Sequence, residues 1–386
     1  MEDFLLYDQE LTDEERMIRD SVRRFVESEV NPLMPDAYEE AKFPRSLIPK
    51  LAQLGLLGLN LPTEYGGAAA SPVAYGLVCQ ELERGDSSLR SFVSVQNSLC
   101  LYPIYRFGSE IQKRKYLPKM ITGELIACFG LTEPDAGSDP NSMKTTAKEV
   151  EGGWILNGSK MWITNATIAD LAIVWAKTVA GIRGFIVEKD FQGFQRQEIK
   201  KKMSLRASNT GELIFSNCFV PEENLLPLSN VGLQAPLKCL TEARYGIAWG
   251  AMGAAMACYD TALQYCQERK QFNRPLASFQ LVQKDLVTMF LEIQKAQSLN
   301  IRIGQLKAKD LASFSMISLA KLNACREALA IARMARNLLG ANGISLEYSV
   351  IRHMENLESV FTYEGTDNIH HLIVGKHITG FDAFSN

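Results

Sequence analysis

The fold of this chain is decided by Phe129-Gly-Leu-Thr-Glu-Pro-Asp-Ala-Gly-Ser-Asp-Pro140, where a strand-like run ends in a loop dense in Gly, Pro, Ser and Asp. Small residues leave backbone N–H groups and hydroxyls free to hold a polar ligand. A second stretch, Lys160-Met-Trp-Ile-Thr-Asn165, carries a large flat ring at Trp162 and a hydroxyl at Thr164. Side chains two residues apart on a strand point to the same face. Together the two stretches indicate a site for a flat heterocycle that forms hydrogen bonds.

The pattern of apolar residues changes twice along the chain. Thr12-Asp-Glu-Glu15 is a capping-box signature, and apolar residues then recur at helical spacing until Pro32. Strand-like patterns begin near Leu125, with Asn157-Gly158 as a strong hairpin signal, and helical periodicity returns from about Gly232. The other predicted helices are Ser46–Leu57, Ser71–Arg84, Ser109–Thr122, Leu281–Ile303 and Met316–Leu339. The predicted strands are Leu125–Leu131, Trp154–Leu156, Met161–Thr164, Leu171–Trp175, Gly184–Val187 and Leu213–Val220.

This order of helices, strands and helices indicates an α+β fold with a central all-β unit. The predicted domains are a helical domain at 1–124, a β-domain at 125–231 and a second helical domain at 232–386. No G-x-G-x-x-G follows a predicted strand. Gly250-Ala-Met-Gly253 lies within a helical run, where it indicates close helix packing rather than phosphate binding. A dinucleotide-binding parallel sheet is therefore not predicted.

Composition and charge limit the classes of partner. With 386 residues, of which 46% are hydrophobic and 22% are charged, the chain can bury more than one core. A net charge of −3 gives no field that would attract nucleic acid or an anionic membrane surface, and no apolar run has membrane-spanning length. The acidic start Met1-Glu-Asp-Phe-Leu-Leu-Tyr-Asp8 lacks the patterns of secretory and transit peptides. We therefore expect a bacterial cytoplasmic protein, with a processed mitochondrial matrix protein as the alternative.

The cysteines carry no metal or disulfide signature. They show no C-x-x-C and no histidine at metal-ligand spacing, so a zinc site is not predicted. Most lie in apolar runs, which favours buried thiols in a reducing compartment. The eight positions are Cys79, Cys100, Cys128, Cys218, Cys239, Cys258, Cys266 and Cys325.

The two stretches quoted first resemble the flavin-binding segments of the acyl-CoA dehydrogenase family, and the resemblance runs from about residue 5 to the end of the chain. It implies an N-terminal helical domain, a middle β-barrel-like domain and a C-terminal four-helix-bundle domain, with FAD between the last two. No Cys or His lies beside the matched segments in the way that tethering would require, so we expect FAD without a covalent link. The flavin contacts implied by the resemblance are Phe129, Leu131, Thr132, Gly137, Ser138, Trp162, Ile163, Thr164, Thr366 and Asn368.

Two further motifs resemble family segments that contact FAD, the first of them the FAD of a neighbouring subunit. Arg269-Lys-Gln-Phe272 with Gln280 matches a motif whose Arg and Phe reach the pyrophosphate and the ring, and a guanidinium binds phosphate oxygens bidentately. A solvated basic turn is the alternative, and Asn273 stands where a Gly is common, which leaves the turn geometry open. In the second motif Ala341 replaces a usual Gly, which predicts a backbone that is not left-handed there. Its matched positions are Asn337, Leu338, Gly340 and Ala341.

The segment Thr362-Tyr-Glu-Gly-Thr366 resembles the one in which this family carries its catalytic base, and Glu364 matches the base itself. Removing the α-proton of a thioester requires a carboxylate whose pKa is raised by a dry site. The alternative is a surface glutamate in a turn before the last helix. Some family members carry the base at the position of Ala243, which cannot serve, and the adjacent Glu242 is rotated by about 100° around a helix.

The choice of acyl-CoA depends on Arg90. With Glu83 and Ser94 close in sequence, Arg90 resembles the arginine by which the glutaryl-CoA dehydrogenases of this family hold the distal carboxylate of the substrate. A buried charge needs a partner, and a dicarboxylic monothioester would bring one. The alternative is an i,i+4 pair of Arg90 with Asp86 on a helix surface. The other positions matched to acyl-CoA contacts are Ser91, Ser138, Leu240, Arg244, Tyr363 and Gly365.

The resemblance as a whole implies a homotetrameric, FAD-dependent glutaryl-CoA dehydrogenase that forms crotonyl-CoA and CO2 and passes electrons to an electron-transferring flavoprotein. Three alternatives stay open. The substrate could be a monocarboxylic short- or branched-chain acyl-CoA, the enzyme could be an acyl-CoA oxidase, or the chain could be a scaffold that kept the fold and lost the chemistry. A glutamate at position 364 argues against the last of these.

Overall fold

The computed structural model describes residues 2–384, and the first part of the chain is helical. Its helices are α1 (Asp13–Phe25), α2 (Met34–Glu39), α3 (Leu47–Gln53), α4 (Pro72–Gly85), α5 (Ser87–Ser94), α6 (Tyr102–Phe107) and α7 (Glu110–Ile121). The capping box is confirmed, because the Thr12 side chain accepts a hydrogen bond from the Glu15 backbone and the Glu15 side chain accepts one from the Thr12 backbone. Helices α1 and α5 each continue into a π-helical segment, Val26–Val30 and Val95–Leu101.

The middle of the chain forms one curled seven-stranded sheet with the order β1-β4-β2-β3-β7-β6, in which β5 pairs with β4. Its strands are β1 (Ala127–Gly130), β2 (Thr146–Val150), β3 (Gly153–Thr164), β4 (Leu171–Thr178), β5 (Gly181–Glu188), β6 (Phe194–Glu198) and β7 (Thr210–Pro221). Alternate residues of β1 enter different cores: Phe129 packs with residues of α6 and α7, whereas Cys128 packs inside the curl. Strand β4 is apolar on both faces because both are covered.

The hairpin predicted at Asn157-Gly158 is wrong. Strand β3 runs through these residues, and its register against β7 shifts between Leu156 and Gly158 as in a β-bulge. Gly158 has φ 139°, and a Cβ there would lie 2.6 Å from Thr145 Oγ1. The glycine therefore serves a bulge with a close backbone approach, and the turn between β2 and β3 lies at Gly152 (φ 77°) instead.

The rest of the chain is mainly helical, as predicted. Its elements are α8 (Gln234–Glu268), β8 (Lys270–Gln271), β9 (Arg274–Pro275), α9 (Gln280–Lys307), α10 (Phe314–Leu338), α11 (Ser349–Thr362) and α12 (Asp367–Thr379). Helices α8 to α11 pack together as the four-helix bundle, and α8 also packs along α4 of the first domain. Within residues 2–384, none of the helices combines the length and apolar character needed to cross a lipid bilayer.

The contact between α4 and α8 is a backbone-to-backbone approach that glycine makes possible. A Cβ on Gly253 would collide with the Gln80 carbonyl oxygen of α4, and a Cβ on Gly250 would collide with the Glu83 carboxylate. The prediction that Gly250 and Gly253 serve close helix packing is therefore confirmed. The same approach brings the first and last domains together at the residues that form the site described below.

We predict that Gly253→Ala lowers the melting temperature by several degrees, because overpacking of this kind costs about 1–3 kcal/mol. Gly375→Ala is the matched control: this glycine is also inside a helix, α12, but a Cβ there has no atom within 4 Å. Alanine is favoured over glycine in an open helix by about 1 kcal/mol, so the control should be neutral or stabilising. Thermal unfolding of both variants provides the measurement, and equal melting temperatures would contradict the role of Gly253.

Candidate active site

The short connection between α11 and α12 holds Glu364 in an unusual backbone conformation. Glu364 has φ 52° and Gly365 has φ 99°, so both residues are left-handed. A glutamate in this region is strained, and such strain persists only where the surroundings fix the chain. Thr366 then caps α12 by accepting a hydrogen bond from the Ile369 backbone. We call Tyr363–Thr366 the catalytic turn.

Two buried cations hold the catalytic turn by its backbone. Lys321 on α10 donates from Nζ to the carbonyl oxygens of Tyr363 at 2.6 Å and Gly365 at 2.7 Å. Arg244 on α8 donates from Nε to the carbonyl oxygen of Glu364 at 2.7 Å. Three successive carbonyl groups are thus fixed from two helices of the bundle. Sequence reasoning matched Arg244 to a CoA contact and did not consider Lys321, although a lysine at an apolar helical position of α10 is a detectable signal.

Gly365 cannot be replaced without disturbing this arrangement. A Cβ at this position would lie 3.0 Å from His370 Nε2 and 3.1 Å from Arg244 Nη2. His370 is buried, and burial followed by the nearby charges of Lys321 and Arg244 lowers its pKa to about 2, so its ring is neutral. The residue after Glu364 therefore needs both the left-handed backbone and the absence of a side chain.

The carboxylate of Glu364 has the properties of a general base. Its Oε2 is buried and accepts no hydrogen bond from the residues that the structure describes. Burial raises the pKa of the carboxyl group, and the charges of Arg90, Lys321 and Arg244 act in the opposite direction. An unpaired carboxylate with a raised pKa is suited to take a proton from carbon. The alternative of a surface glutamate does not fit this environment.

Arg90 lies at 1% exposure next to the catalytic turn. Its Nε donates to Glu83 Oε2 at 2.5 Å, and its Nη2 donates to the Tyr363 hydroxyl. The alternative of a surface pair with Asp86 is wrong, because Asp86 is buried and binds Arg352 of α11 instead. Ser91 and Ser94 of the same helix are also buried. Leu240 is half-buried one helical turn before Arg244, and Glu242 turns away to bind Lys307 at 2.8 Å.

The two stretches quoted at the start of the sequence analysis are joined by a buried ion pair. Lys160 Nζ donates to Glu133 Oε1 at 2.7 Å and to the Leu131 carbonyl oxygen at 3.1 Å. Glu133 also accepts from the Thr145 backbone at 3.0 Å. Burial opposes ionisation of Glu133, but the contacts with Lys160, Thr145 and Lys144 together outweigh it and lower the pKa of that carboxyl. Sequence reasoning missed this pair, although both partners lie inside the stretches it singled out.

The surface next to this ion pair fits a flat heterocycle. Trp162 has φ 63° at a register shift of β3 and is 57% exposed, so a strained backbone holds an aromatic ring in the open. Ile163 is buried and Thr164 is half-buried, which places Trp162 and Thr164 on the side away from the core, as predicted. Phe129 and Leu131 are buried beside β4, Thr132 is half-buried, and the backbone of Gly137 and Ser138 is exposed.

Asn368 is exposed on α12, two residues after the catalytic turn, whereas the two other motifs matched to FAD contacts lie far from that turn within one chain. Arg269 follows Arg244 by 25 residues along α8, which at roughly 1.5 Å per residue is about 37 Å. Phe272 and Asn273 both have positive φ and form the tight turn between β8 and β9, with Phe272 87% exposed. Gln280 starts α9 and is exposed. Asparagine tolerates a positive φ in a turn, which explains why Asn273 can replace a glycine.

The second distant motif lies where α10 ends. Asn337, Gly340 and Ala341 are exposed there, and Leu338 is half-buried. Gly340 has φ 59°, whereas Ala341 is not among the residues with positive φ, as its alanine predicts. This motif is distant from Glu364 of the same chain. Lys321, which bonds the catalytic turn, and Asn337 are 16 residues apart on α10, which is about 24 Å along a helix.

The cysteines and the acidic side chains form no metal centre in the part of the chain that the structure describes. No group of three or more His, Cys, Asp or Glu side chains is arranged there to hold an ion. All eight cysteines are buried free thiols.

Comparisons with known proteins agree with this geometry. Models of the acyl-CoA dehydrogenase N-terminal, middle and C-terminal domains match residues 12–124, 128–218 and 230–379. The mitochondrial short-chain specific acyl-CoA dehydrogenase of Rattus norvegicus is 36% identical over 374 residues, which cover 96% of this chain and 91% of that protein. A crystal structure of glutaryl-CoA dehydrogenase from Mycobacterium smegmatis is 52% identical, with a TM-score of 0.95 and 97% of each chain covered.

A second structure of a glutaryl-CoA dehydrogenase from the same organism, in complex with FADH2, is 50% identical, with a TM-score of 0.97 over 99% of this chain and 98% of that one. Fold and site together define a flavoprotein that oxidises an acyl thioester. The chain belongs to the acyl-CoA dehydrogenase family and is an FAD-dependent acyl-CoA dehydrogenase.

Two groups of residues would serve the reaction, one in the β-domain and one in the helical bundle. Bound FAD supplies the acceptor for the two electrons and the hydrogen that leave the β-carbon of the acyl group. Trp162 and Thr164 would hold its ring from the β-domain, and the Glu364 carboxylate, carried by the helical bundle, would take the α-proton. Lys321 and Arg244 bind the backbone carbonyl groups of the turn that carries this carboxylate.

We predict that Glu364→Gln keeps bound flavin and acyl-CoA binding but loses flavin reduction by substrate by at least 10²–10⁴-fold, the range typical for loss of a general base. Stopped-flow absorbance of the flavin gives the rate. Glu242→Gln is the matched control, since its side chain points to Lys307 and should leave the rate unchanged. A Glu364 variant that reduces its flavin within several-fold of the parent rate would show that another group removes the proton.

The pH dependence should follow from the same carboxylate. Because burial raises the pKa of Glu364, the rate should fall as the pH drops through that raised value, above the value of about 4.3 for an ordinary glutamate. Protonation removes the base, so the loss is on the acid side.

Proposed function

We propose that this enzyme is a glutaryl-CoA dehydrogenase that converts glutaryl-CoA to crotonyl-CoA and CO2 and passes the electrons to an electron-transferring flavoprotein. The observation that carries the proposal is the buried guanidinium of Arg90, held between Glu83 and Tyr363 beside the catalytic base. The similarity to glutaryl-CoA dehydrogenases at 50–52% identity adds support.

The balance of charge around the catalytic turn supports an anionic acyl chain. Three cations, Arg90, Arg244 and Lys321, lie around the turn at no more than 7% exposure. The carboxylates that act on them are Glu83 and Glu364. One cation therefore exceeds the anions, and a distal carboxylate of the substrate would balance it. Uncompensated buried charge is costly, so a substrate that supplies the counter-charge gains affinity.

Arg90 also keeps hydrogen-bonding capacity for such a carboxylate. Its bonds to Glu83 and Tyr363 use Nε and Nη2, and none of the described residues accepts from Nη1. Ser94 has a buried hydroxyl that has no hydrogen-bond partner among residues 2–384. A planar guanidinium with a free N–H edge and a nearby hydroxyl suits a carboxylate.

Decarboxylation follows from where the double bond forms. Glu364 takes the α-proton and the β-hydrogen leaves with its electron pair to the flavin, which places a double bond next to the carbon that bears the carboxylate. The bond to CO2 then breaks, and its electron pair forms a dienolate that extends to the thioester oxygen. Return of the proton from Glu364 to the γ-carbon gives crotonyl-CoA. Tyr363, whose hydroxyl binds Arg90, lies directly before the base in the chain.

A dehydrogenase of a monocarboxylic short-chain acyl-CoA is the second candidate. It is favoured by the Glu83–Arg90 pair itself, because Glu83 already neutralises Arg90 without any substrate. The rat short-chain relative is similar over 96% of this chain. The two candidates differ in whether Arg90 binds the substrate or only stabilises the fold.

We also propose a homotetramer in which a neighbouring subunit completes each flavin site. Arg269 and Phe272 lie too far along α8 to reach the catalytic turn of their own chain, yet Phe272 is held in the open by a strained turn. The outer faces of the bundle are apolar enough to pack against further copies. Their exposed residues include Leu281, Val287 and Leu291 of α9 and Phe314 and Leu319 of α10.

We predict that Arg90→Ala lowers kcat/KM for glutaryl-CoA far more than for butyryl-CoA, because only glutaryl-CoA has a carboxylate that would be left unpaired. Truncating one partner of a buried charge pair costs about 2–5 kcal/mol. Arg90→Lys should recover little, since it cannot bind bidentately. Arg352→Ala removes another buried arginine and serves as the control: it should lower stability without changing the ratio of the two kcat/KM values. Equal losses for both substrates with Arg90→Ala would favour the monocarboxylic candidate.

The CoA product distinguishes a decarboxylating enzyme from one that stops at the first step. We predict crotonyl-CoA and CO2 when the enzyme is incubated with glutaryl-CoA and an electron acceptor, as measured by mass spectrometry. Glu364→Gln treated identically should give neither product and controls for chemical breakdown. Glutaconyl-CoA as the end product would place the chain among non-decarboxylating enzymes.

A further inference from the structure

Lys321 is a buried lysine that the catalytic mechanism of the previous subsections does not require as a reactant. It lies at 1% exposure in the middle of α10, under the catalytic turn. Both of its hydrogen bonds go to backbone carbonyl groups, those of Tyr363 and Gly365. Among residues 2–384 no carboxylate lies within ion-pair distance of its ammonium group. Burying a charge without an ion pair costs free energy, so a functional role for this lysine would explain its presence.

The geometry supplies that reason. The two carbonyl groups that Lys321 binds flank Glu364, whose own backbone is left-handed. An ammonium group donates in several directions from one point, so a single lysine can hold both sides of the strained residue. We propose that Lys321 is a positioning residue that holds Glu364 in its left-handed conformation and places a positive charge beneath its carboxylate.

The charge of Lys321 acts on the Glu364 carboxylate together with the charges of Arg90 and Arg244. Arg90 from α5 is paired with Glu83 of α4, and Arg244 from α8 is bound to the Glu364 carbonyl oxygen. From α12, His370 is neutral, since burial lowers its pKa to about 2. Within α10, burial raises the pKa of the Cys325 thiol to about 11. Tyr363 is the remaining titratable neighbour, and burial raises its pKa as well.

Lys321 itself is charged at neutral pH. Burial lowers its pKa to about 8, and the neighbouring Cys325 and Glu364 oppose that decrease. The ammonium group and the Glu364 carboxylate therefore favour each other's charged form. Removing the ammonium should raise the pKa of Glu364 further, so that the base is protonated at a higher pH than in the parent enzyme.

The test compares Lys321→Met and Lys321→Arg with the parent holoenzyme. The first readout is the pH profile of flavin reduction by butyryl-CoA. Lys321→Met should lower the rate by on the order of 10²-fold, as expected for a misplaced base, and should move the acid limb to higher pH. Lys321→Arg keeps the charge, so its acid limb should stay at the parent position even if the rate falls. Lys295→Met is the control, because Lys295 is an exposed lysine of the same bundle, paired with Glu292, and should change neither quantity.

The second readout does not depend on flavin reduction. With the flavin already reduced by dithionite, the enzyme can only exchange the α-hydrogens of butyryl-CoA with D2O. Lys321→Met should slow this exchange and shift its acid limb in the same direction. A Lys321→Met variant whose rate falls equally at every pH would overturn the proposal, as that is the signature of a purely structural lysine. If Lys321→Met does not retain flavin, an acid limb of Lys321→Arg displaced from the parent position would overturn it equally.

The result for Lys321 can be distinguished from a failure of Glu364 as the base or of glutaryl-CoA as the substrate. Butyryl-CoA is used in every arm, so the result does not depend on glutaryl-CoA being the natural substrate. Glu364→Gln in the exchange assay tests the base itself, since exchange at the parent rate would reject Glu364 regardless of Lys321.

Discussion

The close approach of α8 to α4 is the constraint on which the rest of the site depends. Gly253 lets the backbones of the two helices meet, and Gly250 leaves room for the Glu83 side chain between them. This brings the Glu83 carboxylate against α8 and leaves room for its bond to Arg90. Farther toward its start, the same helix carries Arg244 to the catalytic turn. A wider helix spacing would separate Arg90 from the catalytic turn, so the packing between the two helical domains also sets the distances within the site.

Backbone strain marks three of the residues through which this family resemblance was drawn. Trp162, Phe272 and Glu364 all have positive φ, a conformation that costs free energy for a side chain of any size. Each is held by neighbouring structure: a register shift of β3, a two-residue turn and a set of buried cations. The positive φ directs an indole, a phenyl ring and a carboxylate away from the directions that side chains take in regular strands and helices.

The sequence was sufficient for the order of helices and strands and for singling out Glu364 as a candidate base, because hydrophobic periodicity and a short motif are local properties. It did not delimit the strands β2 and β6 or the short helices α2, α5 and α6. It was wrong at Asn157-Gly158, where the glycine serves a bulge whose need arises from Thr145 on another strand. It also missed Lys321 and the Glu133–Lys160 pair. Both depend on which backbone or side chain lies opposite after folding, and no spacing along the chain encodes that. The burial of Arg90 belongs to the same class, since a surface pair with Asp86 has equally good local spacing.

The active site consists of two halves that are each bonded internally. On the sheet side, the bond between Glu133 and Lys160 ties the loop after β1 to strand β3. On the helical side, Lys321 and Arg244 tie the catalytic turn to the bundle. None of these bonds joins the sheet side to the helical side. The β-domain is bonded to α11 through Ser204 and Leu205 instead, which contact Ser359 and Asn356, so the distance between the two halves is set outside the site itself.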